Sequence, residues 1–139
     1  MMTPDEMAHL HARAFAGQGR AWSAQEFADL LENTHVFSVG GTRSFAVGRV
    51  IADEVELLTI ATDPDLQGQG LGRACLLRYE SLAVAKGATS FFLEVAEDNA
   101  PARALYRRAG YHEAARRNGY YRAPDGRRID ALILRKALP

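Results

Sequence analysis

A short glycine-rich segment, residues 67–72, has the composition of a phosphate-binding loop. It reads Gln-Gly-Gln-Gly-Leu-Gly, and a glycine has no Cβ that would keep the backbone away from a ligand. An apolar segment ending at Thr62 precedes it, and an amphipathic segment running to Lys86 follows it. The first amides of a helix have no partner within the helix and lie at the positive end of its dipole. The pattern therefore predicts an anion site at a strand-to-helix corner.

Two common glycine-rich phosphate loops fit this segment badly. A P-loop has a Lys-Ser/Thr pair after its last glycine, whereas Gly72 is followed by Arg73 and Ala74. A dinucleotide fingerprint beginning at Gly68 would need its third glycine at the position of Arg73. Taken alone, the segment is also compatible with a glycine-rich corner that binds no ligand.

The composition indicates an ordinary globular protein. The chain has 139 residues, of which 47% are hydrophobic, and its 17 basic and 17 acidic residues balance. We expect residues 1–139 to form one domain, and the balanced charge gives no sign of nucleic-acid binding. Cys75 is the only cysteine, which excludes an intrachain disulfide and disfavours a metal cluster. Without a membrane-length apolar run or a signal pattern, we expect a cytoplasmic protein that does not bind membranes.

The segments before the glycine loop predict two helices and three antiparallel strands. Ser23 and Glu26 have the spacing of a capping box, which starts the second helix. Trp22 and Phe27 are expected to pack as a hydrophobic staple or to form one wall of a substrate groove. The predicted segments are helices over 5–15 and 23–31, a break at 17–19, and strands over 36–39, 44–52 and 54–62, with a hairpin turn at Gly40-Gly41.

The glycine loop is followed by a predicted helix and a predicted strand. Apolar residues over 71–86 recur at helical spacing, and Gly87 ends this helix. Cys75 lies on the apolar face and is expected to be a small core residue. The segment 89–95 alternates as a strand does, which places Phe91, Leu93 and Val95 on one face and Phe92 and Glu94 on the other.

The end of the chain predicts one more helix and a pair of strands. Asn99 is expected to cap the helix, and Pro101 suits its first turn. The last two strands are predicted over 111–116 and 129–135. A long loop that carries Gly119, Tyr120 and Tyr121 would join them.

Two motifs together resemble the GNAT acetyltransferases. The loop matches that family's pyrophosphate pattern, R/Q-x-x-G-x-G/A, with Gln67, Gly70 and Gly72 in the fixed places. The segment from Asn99 to Tyr111 resembles the family's N-x-x-A-x-x-L-Y-x-x-x-G-F/Y block. The order of elements is similar to the GNAT fold over essentially the whole chain. The resemblance implies an α/β (α+β) fold, in which a mixed, mostly antiparallel sheet of about six to seven strands is flanked by about four helices.

Within this family the chain is most similar to the RimI-type enzymes, which acetylate the N-terminal alanine of the eighteenth protein of the small ribosomal subunit. The similar segments are 91–95, 99–106, 116–121 and 130–132. The likeness implies acetyl-CoA as co-substrate, the N-terminus of a ribosomal protein as acceptor, and no metal. Gly119 and Ile129 depart from the pattern of close relatives. Both fall in the expected substrate loop, so they bear on peptide preference more than on chemistry.

The resemblance also implies roles for particular residues. An amine attacks a thioester only when it is unprotonated, so the site needs a base and an acid. Glu94 would be the base, and Tyr106, protonated at an ordinary pKa of about 10, would be the acid toward the coenzyme A sulfur. Trp22, Tyr120 and Tyr121 would bind the acceptor. The expected acetyl-CoA contacts are Ile60, Ala61, Thr62, Gln67, Gly68, Gln69, Gly70, Leu71, Gly72, Arg73 and Asn99.

Residue types alone leave alternatives for each of these assignments. Glu94 could be a solvated carboxylate on an open sheet face, Tyr106 could only pack in the core, and Asn99 could only cap its helix. The acceptor could be a lysine side chain or a small amine, and a non-catalytic acetyl-CoA-binding module is a further alternative. No role beyond surface or packing is expected for His9, His11, His35 and His112.

Overall fold

The computed structural model describes residues 2–16 and 20–138. The predicted break at 17–19 lies outside these ranges. The α-helices are α1 (Pro4–Ala14), α2 (Ala24–Glu32), α3 (Leu71–Ala85) and α4 (Ala100–Arg108), with a short 3-10 helix at Pro64–Leu66. The strands are β1 (Val36–Gly41), β2 (Ser44–Ile51), β3 (Glu54–Thr62), β4 (Ser90–Ala96), β5 (His112–Arg122) and β6 (Arg128–Ala137). Within the described ranges, these elements confirm the predicted fold class.

The six strands form one sheet in which two neighbouring strands, β3 and β4, separate at their carboxyl ends. Their order is β1-β2-β3-β4-β6-β5, and every neighbouring pair is antiparallel except β3 and β4. The parallel pairing joins only Glu54–Leu57 to Ser90–Leu93. Beyond it, residues 58–62 of β3 and 94–96 of β4 have no ladder between them. This gap, which we call the sheet opening, lies at the carboxyl ends of both strands.

Helices cover both faces of the sheet. Tyr79 of α3 and Tyr106 of α4 belong to a core on one face, together with Phe91, Leu93 and Val95. On the other face, α1 and α2 form a second core with alternate residues of β2 and β3. The β4 alternation is confirmed, because its odd-numbered residues are buried in the first core. Glu94 therefore lies on the same face as α1 and α2.

A bulge in β3 changes which residues face α1 and α2. Thr59 pairs with Val47 and Leu57 pairs with Gly48, so Leu58 is an extra residue in β3. A bulge of this kind reverses the alternation of the residues that follow it. Thr59 and Ala61 consequently point toward the core of α1 and α2, whereas Leu57 packs in the other core.

The predicted turn at Gly40-Gly41 is wrong by two residues. Gly41 pairs with Ser44, so Thr42 and Arg43 form the turn and both glycines belong to β1. Gly40 has φ of +99°, and a Cβ there would lie 2.2 Å from the Ser44 carbonyl oxygen. The glycine at 40 is therefore required by close approach of the backbones inside the hairpin.

The long loop predicted between the last strands is also wrong. β5 continues to Arg122, so Tyr120 and Tyr121 are strand residues and the connection covers only 123–127. β5 is an edge strand that is exposed along most of its length, so it lacks the apolar alternation that marks a half-buried strand. Its register with β6 shifts between Arg117 and Tyr121, so β5 contains more residues than the segment of β6 opposite it.

Candidate active site

Glu94 lies at the sheet opening and is held by two residues of β5. It directly follows Leu93, the last residue of β4 that pairs with β3. The Tyr121 hydroxyl donates a 2.8 Å hydrogen bond to Glu94 Oε2, and Arg117 Nε lies 3.5 Å from Oε1. The Glu94 side chain is 26% exposed. Glu94 is thus an oriented, partly accessible carboxylate rather than a fully solvated one.

Tyr106 lies on the opposite side of the sheet from Glu94. It is buried in the core formed by α3 and α4, and its ring meets that of Tyr111 edge-on at 5.9 Å between centroids. Burial raises the pKa of Tyr106 above its ordinary value, which corrects the expectation of an unshifted hydroxyl. Its hydroxyl group is therefore fully protonated at neutral pH. It makes no hydrogen bond to the part of the chain that the structure describes.

The glycine loop leaves the first turn of α3 free to bind an anion. The first hydrogen bond of the helix runs from Ala74 N to the Gly70 carbonyl oxygen, so the amides of residues 71–73 lie ahead of it. Gly70, the N-cap, has φ of +78° and no side-chain cap, and the first turn of α3 has no acidic residue. By contrast, the other three helices are capped by the side chains of Thr3, Ser23 and Asn99.

The loop, the end of β3 and α4 converge on Gly72. A Cβ at Gly72 would lie 3.3 Å from Thr62 Oγ1 and 3.8 Å from Leu105 Cδ2. Thr62 Oγ1 is itself 2.9 Å from Ser44 Oγ. Since Leu105 is next to Tyr106, this contact brings the predicted cofactor loop close to the helix that carries the predicted acid.

The β3 backbone has one free edge at the sheet opening. Ile60, Ala61 and Thr62 pair with β2 on one side, and the ladder with β4 stops at Leu57 on the other. Free backbone groups of a strand can pair with an extended ligand. This edge and the first turn of α3 contain residues that the sequence resemblance predicts to contact acetyl-CoA.

The surroundings of four other predicted cofactor residues do not test their roles. The Arg73 guanidinium donates to the Arg108 carbonyl oxygen at 3.3 Å, and Asn99 Oδ1 accepts from Ala102 N at 3.3 Å, which confirms the predicted cap. Gln67 ends the 3-10 helix, and Gln69 is exposed. A contact of any of them with acetyl-CoA stays a prediction.

The three predicted acceptor residues fall into two groups. Tyr121 touches Glu94, and Tyr120, which is exposed, meets Tyr121 edge-on at 5.2 Å and lies under the Arg117 guanidinium at 5.1 Å. Trp22 instead packs between His11 and Phe27, at 5.2 and 5.4 Å between ring centroids. The predicted packing of Trp22 on Phe27 is confirmed. Both groups lie on the Glu94 side of the sheet.

Sequence reasoning missed the hydrogen bonds of His11. This side chain is 1% exposed, and its Nδ1 accepts the Trp22 amide hydrogen at 3.2 Å. Nε2 therefore carries the proton and donates to Thr59 Oγ1 at 3.2 Å. Burial lowers the pKa of His11 to about 4. His11 is four residues from both Met7 and Phe15. This spacing places it on the apolar face of α1 and could have predicted its burial.

Sequence reasoning also missed Arg117 and Asp130. Arg117 flanks Glu94, as described above. Asp130 of β6 accepts hydrogen bonds from Arg116 and from the backbone of Gly119. Each of these contacts joins two different strands, β4 to β5 or β6 to β5, so no pattern within one segment points to it.

Two further features of the described residues concern membranes and metals. In the ranges 2–16 and 20–138, no helix is both long and apolar enough to cross a membrane. Over the same ranges, no three His, Cys, Asp or Glu side chains are grouped so that they could hold a metal ion.

Comparison with known proteins identifies the family of the chain. The model of the acetyltransferase (GNAT) family matches residues 6–111. The chain is 40% identical over 135 residues to the [ribosomal protein bS18]-alanine N-acetyltransferase of Escherichia coli K12, with 94% of this chain and 87% of the relative covered. It is 36% identical over 138 residues to the N-alpha-acetyltransferase RimI of Mycobacterium tuberculosis, which covers 93% of this chain and 83% of the relative.

Solved structures agree with this comparison. The crystal structure of the ribosomal-protein-S18-alanine N-acetyltransferase from Escherichia coli superimposes with a TM-score of 0.85 and 36% identity, over 97% of this chain and 87% of that one. Ard1 from Thermoplasma volcanium, at 22% identity, shares the fold, with a TM-score of 0.81 over 99% and 95% of the two chains. The chain therefore belongs to the GNAT family of acetyltransferases.

Proposed function

We propose that residues 1–139 form a single acetyltransferase domain whose acceptor is a protein N-terminal amine, namely the N-terminal alanine of ribosomal protein bS18. The near full-length similarity to enzymes of that name supports the choice of acceptor. The observation that carries the chemistry is the Glu94 carboxylate, which Tyr121 orients at the sheet opening. The cytoplasmic location expected from the sequence suits this acceptor, because ribosomal proteins are synthesised there.

Acetyl-CoA supplies an activated acetyl thioester when it is bound. The amides of residues 71–73 and the glycines of the loop would bind its pyrophosphate, and the free edge of β3 at residues 60–62 would pair with its pantetheine arm. A β3 amide on that edge would polarise the thioester carbonyl. Gly70 permits the turn, and Gly72 permits the close packing of α3 on β3.

Glu94 is proposed as the base for the acceptor amine. The Tyr121 hydroxyl donates to Oε2 at 2.8 Å, whereas Oε1 has only the longer, 3.5 Å contact with Arg117 Nε. Oε1 would therefore take the proton of the amine at the opening. The acceptor would approach from the face that carries Glu94, Tyr120 and Trp22, because the Glu94 side chain is partly accessible there, whereas Tyr106 on the opposite face is buried in the core of α3 and α4. A base within hydrogen-bond reach of the amine contributes about 10²- to 10⁴-fold to the rate.

Tyr106 is proposed as the acid for the leaving sulfur. Its burial keeps the hydroxyl protonated, since the pKa is raised above the ordinary value. The hydroxyl is free of hydrogen bonds to the described residues, which leaves it available as a donor, and we infer that it faces the sulfur at the opening. Acid and base would then act on the reacting atoms from opposite faces of the sheet.

Steady-state kinetics with acetyl-CoA and a peptide bearing the bS18 N-terminus tests these roles. We expect Glu94→Gln and Tyr106→Phe each to lower kcat/KM by about 100-fold or more. Tyr79→Phe is the matched control, because Tyr79 is a buried tyrosine of the same core whose hydroxyl has no hydrogen-bond partner. Glu54→Gln is the control on the neighbouring strand. Near wild-type turnover of both active-site variants across pH 6 to 9 would contradict the assignment.

The same assay separates the remaining alternatives. An enzyme for N-terminal amines should not acetylate the peptide once its N-terminus is blocked, even if the peptide contains lysine. Acetylation of the blocked peptide or of a polyamine would favour a lysine or small-amine acceptor. Calorimetric binding of acetyl-CoA without thiol release for any acceptor would instead indicate a non-catalytic module.

A further inference from the structure

The segment of β5 that carries Tyr121 contains an unusual bulge. Arg117 pairs with Ala131 and Tyr121 pairs with Ile129, so residues 118–120 lie opposite the single residue Asp130. Gly119 has φ of +60°, in the left-handed region that glycine adopts readily. Tyr121 is the first paired residue after this bulge. A slip of one residue in strand pairing reverses the face to which each side chain points, so the orientation of Tyr121 depends on what anchors the bulge.

The Asp130 carboxylate anchors the bulge with both of its oxygens. Oδ1 accepts a 2.8 Å hydrogen bond from Gly119 N, and Oδ2 accepts a 2.8 Å hydrogen bond from Arg116 Nη1. The Gly119 amide and the Arg116 guanidinium lower the pKa of Asp130, so this carboxylate stays ionised at neutral pH. One side chain of β6 thus binds β5 at the middle of the bulge and just before it.

Arg116 connects this anchor to the end of the strand that carries Glu94. Its guanidinium also contacts the carboxylates of Glu97 and Glu113. Glu97 follows Glu94 by three residues, and its amide donates to the Asp130 carbonyl oxygen at 2.9 Å. The bulge, β6 and the end of β4 are therefore joined through Arg116 and Asp130.

We propose that Asp130 and Arg116 are positioning residues: they hold the Gly119 bulge in one register and thereby keep the Tyr121 hydroxyl on the Glu94 carboxylate. This role rests on the proposed function, in which Glu94 is the base. Ion pairs near the surface contribute little to stability, and the Arg116 and Asp130 side chains are 36% and 25% exposed. We therefore expect the main contribution of this pair to be to the geometry of the site.

A double-mutant cycle on kcat/KM tests whether Asp130 acts through Tyr121. We expect Asp130→Ala and Tyr121→Phe each to lower kcat/KM for the peptide by about 10- to 100-fold, the effect of a misplaced catalytic group. The double variant should be no worse than Tyr121→Phe alone. The KM for acetyl-CoA should be unchanged, because the groups proposed to bind it belong to β3, to the glycine loop and to the first turn of α3, and not to β5 or β6. Asp130→Asn, which can still accept from Gly119, should lose less activity than Asp130→Ala.

Asp125 provides a matched control in the same hairpin. It also accepts from a backbone amide and a guanidinium, those of Arg127, at 3.0 and 2.8 Å, but it has no contact with the bulge. We expect Asp125→Ala to keep wild-type kinetics. If Asp130→Ala does not fold, Asp130→Asn and Arg116→Gln replace it in the cycle.

Hydrogen exchange of the Gly119 amide gives a reading that does not depend on activity. We expect the exchange to quicken in Asp130→Ala and to stay slow in Asp125→Ala. Faster Gly119 exchange in Asp130→Ala could occur with additive effects of Asp130→Ala and Tyr121→Phe on kcat/KM, or with no change of kcat/KM in Asp130→Ala. Either result would overturn the positioning role while leaving the proposed function intact. If the wild-type chain does not acetylate the peptide, the proposed function is wrong, and unchanged Gly119 exchange in Asp130→Ala would then overturn the anchoring as well.

Discussion

At the residue scale, His11 shows how burial decides what an ionisable side chain contributes. The imidazole is stacked on Phe15 at 4.0 Å between centroids and is hydrogen-bonded through both ring nitrogens. The bond at Nδ1 requires the neutral form, because Nδ1 accepts a hydrogen from the Trp22 amide. Protonation would therefore break one bond and place a charge among aromatic rings. His11 ties α1, β3 and the backbone of Trp22 together.

We predict that the free energy of unfolding falls when the pH is lowered from 7 to 5. The folded pKa of His11, about 4, lies below the ordinary value of 6.5, so the unfolded chain takes up a proton in this range and the folded chain does not. The stabilisation is fully present above pH 6.5 and is lost as the pH falls toward 4. By linkage, the loss between pH 7 and 5 is about 2 kcal/mol.

Urea unfolding at the two pH values measures this difference. His11→Gln should remove most of the pH dependence, whereas His112→Gln, at an exposed position, should leave it unchanged. An equal slope in wild type and His11→Gln would show that other groups cause the acid sensitivity.

Residue-scale predictions from the sequence succeeded where the cause is local. The Ser23–Glu26 capping box and the Asn99 cap depend on residues three positions apart, and their types alone identify them. The partners of Glu94 and Asp130 could not be predicted, because they are 27 and 11 residues away on another strand.

At the element scale, the loop that begins α3 combines two uses of glycine. Gly68 and Gly70 have φ of +80° and +78°, and a Cβ at either would meet no atom within 4 Å. These positions therefore need the left-handed backbone conformation rather than space. Gly72 is the reverse case, since a Cβ there would press on Thr62.

We predict that Gly70→Ala weakens acetyl-CoA binding by about tenfold, the equivalent of one lost hydrogen bond of about 1.4 kcal/mol. An alanine disfavours the left-handed conformation, so the loop amides would move away from the pyrophosphate. Isothermal titration calorimetry measures the dissociation constant.

Gly87→Ala is the control for this substitution. Gly87 has φ of +102° at the opposite end of α3, also with open space around a Cβ. It should lose similar stability and keep wild-type affinity. An equal loss of affinity in both variants would mean that the effect comes from general strain in α3.

Predicted and observed element boundaries agree closely where one face of the element is buried. The strand 54–62 was predicted with its observed bounds, and the helix 71–86 ends one residue earlier than predicted. The predicted strand 111–116 ends six residues before β5 does. Both faces of β5 are largely exposed, which removes the alternation on which a strand prediction depends. Its pairing with β6 maintains it, and that pairing is not visible within the segment.

At the scale of the whole molecule, the sheet opening connects the two faces of the sheet. Tyr106 belongs to the core of α3 and α4, and Glu94 lies on the face of α1 and α2. Only where β3 and β4 separate can groups from the two faces act on the same atoms. In the proposed function, the opening would serve both as the cofactor edge and as the passage to the acceptor side.

We predict that the two substrates protect opposite sides of the molecule from hydrogen exchange. Acetyl-CoA alone should slow exchange in residues 60–62 and in the first turn of α3, because it uses those backbone groups. An acceptor peptide should slow exchange in β5 around Tyr121. Exchange measured by mass spectrometry, with β1 as an unaffected reference, tests this. Protection of one shared set of amides by both ligands would contradict separate approach from two faces.

The sequence by itself determined the local parts of this protein: the glycine corner, the capped helices, the alternation of β4, and the two motifs that resemble the GNAT family. Each depends on residues that are close together within one segment of the chain, so composition and spacing are sufficient. The tertiary structure alone decided the sheet opening, the pairing of Tyr121 with Glu94, the anchoring of the Gly119 bulge and the neutral state of His11. These features arise from strand order, register and burial, which depend on residues that are distant in the chain.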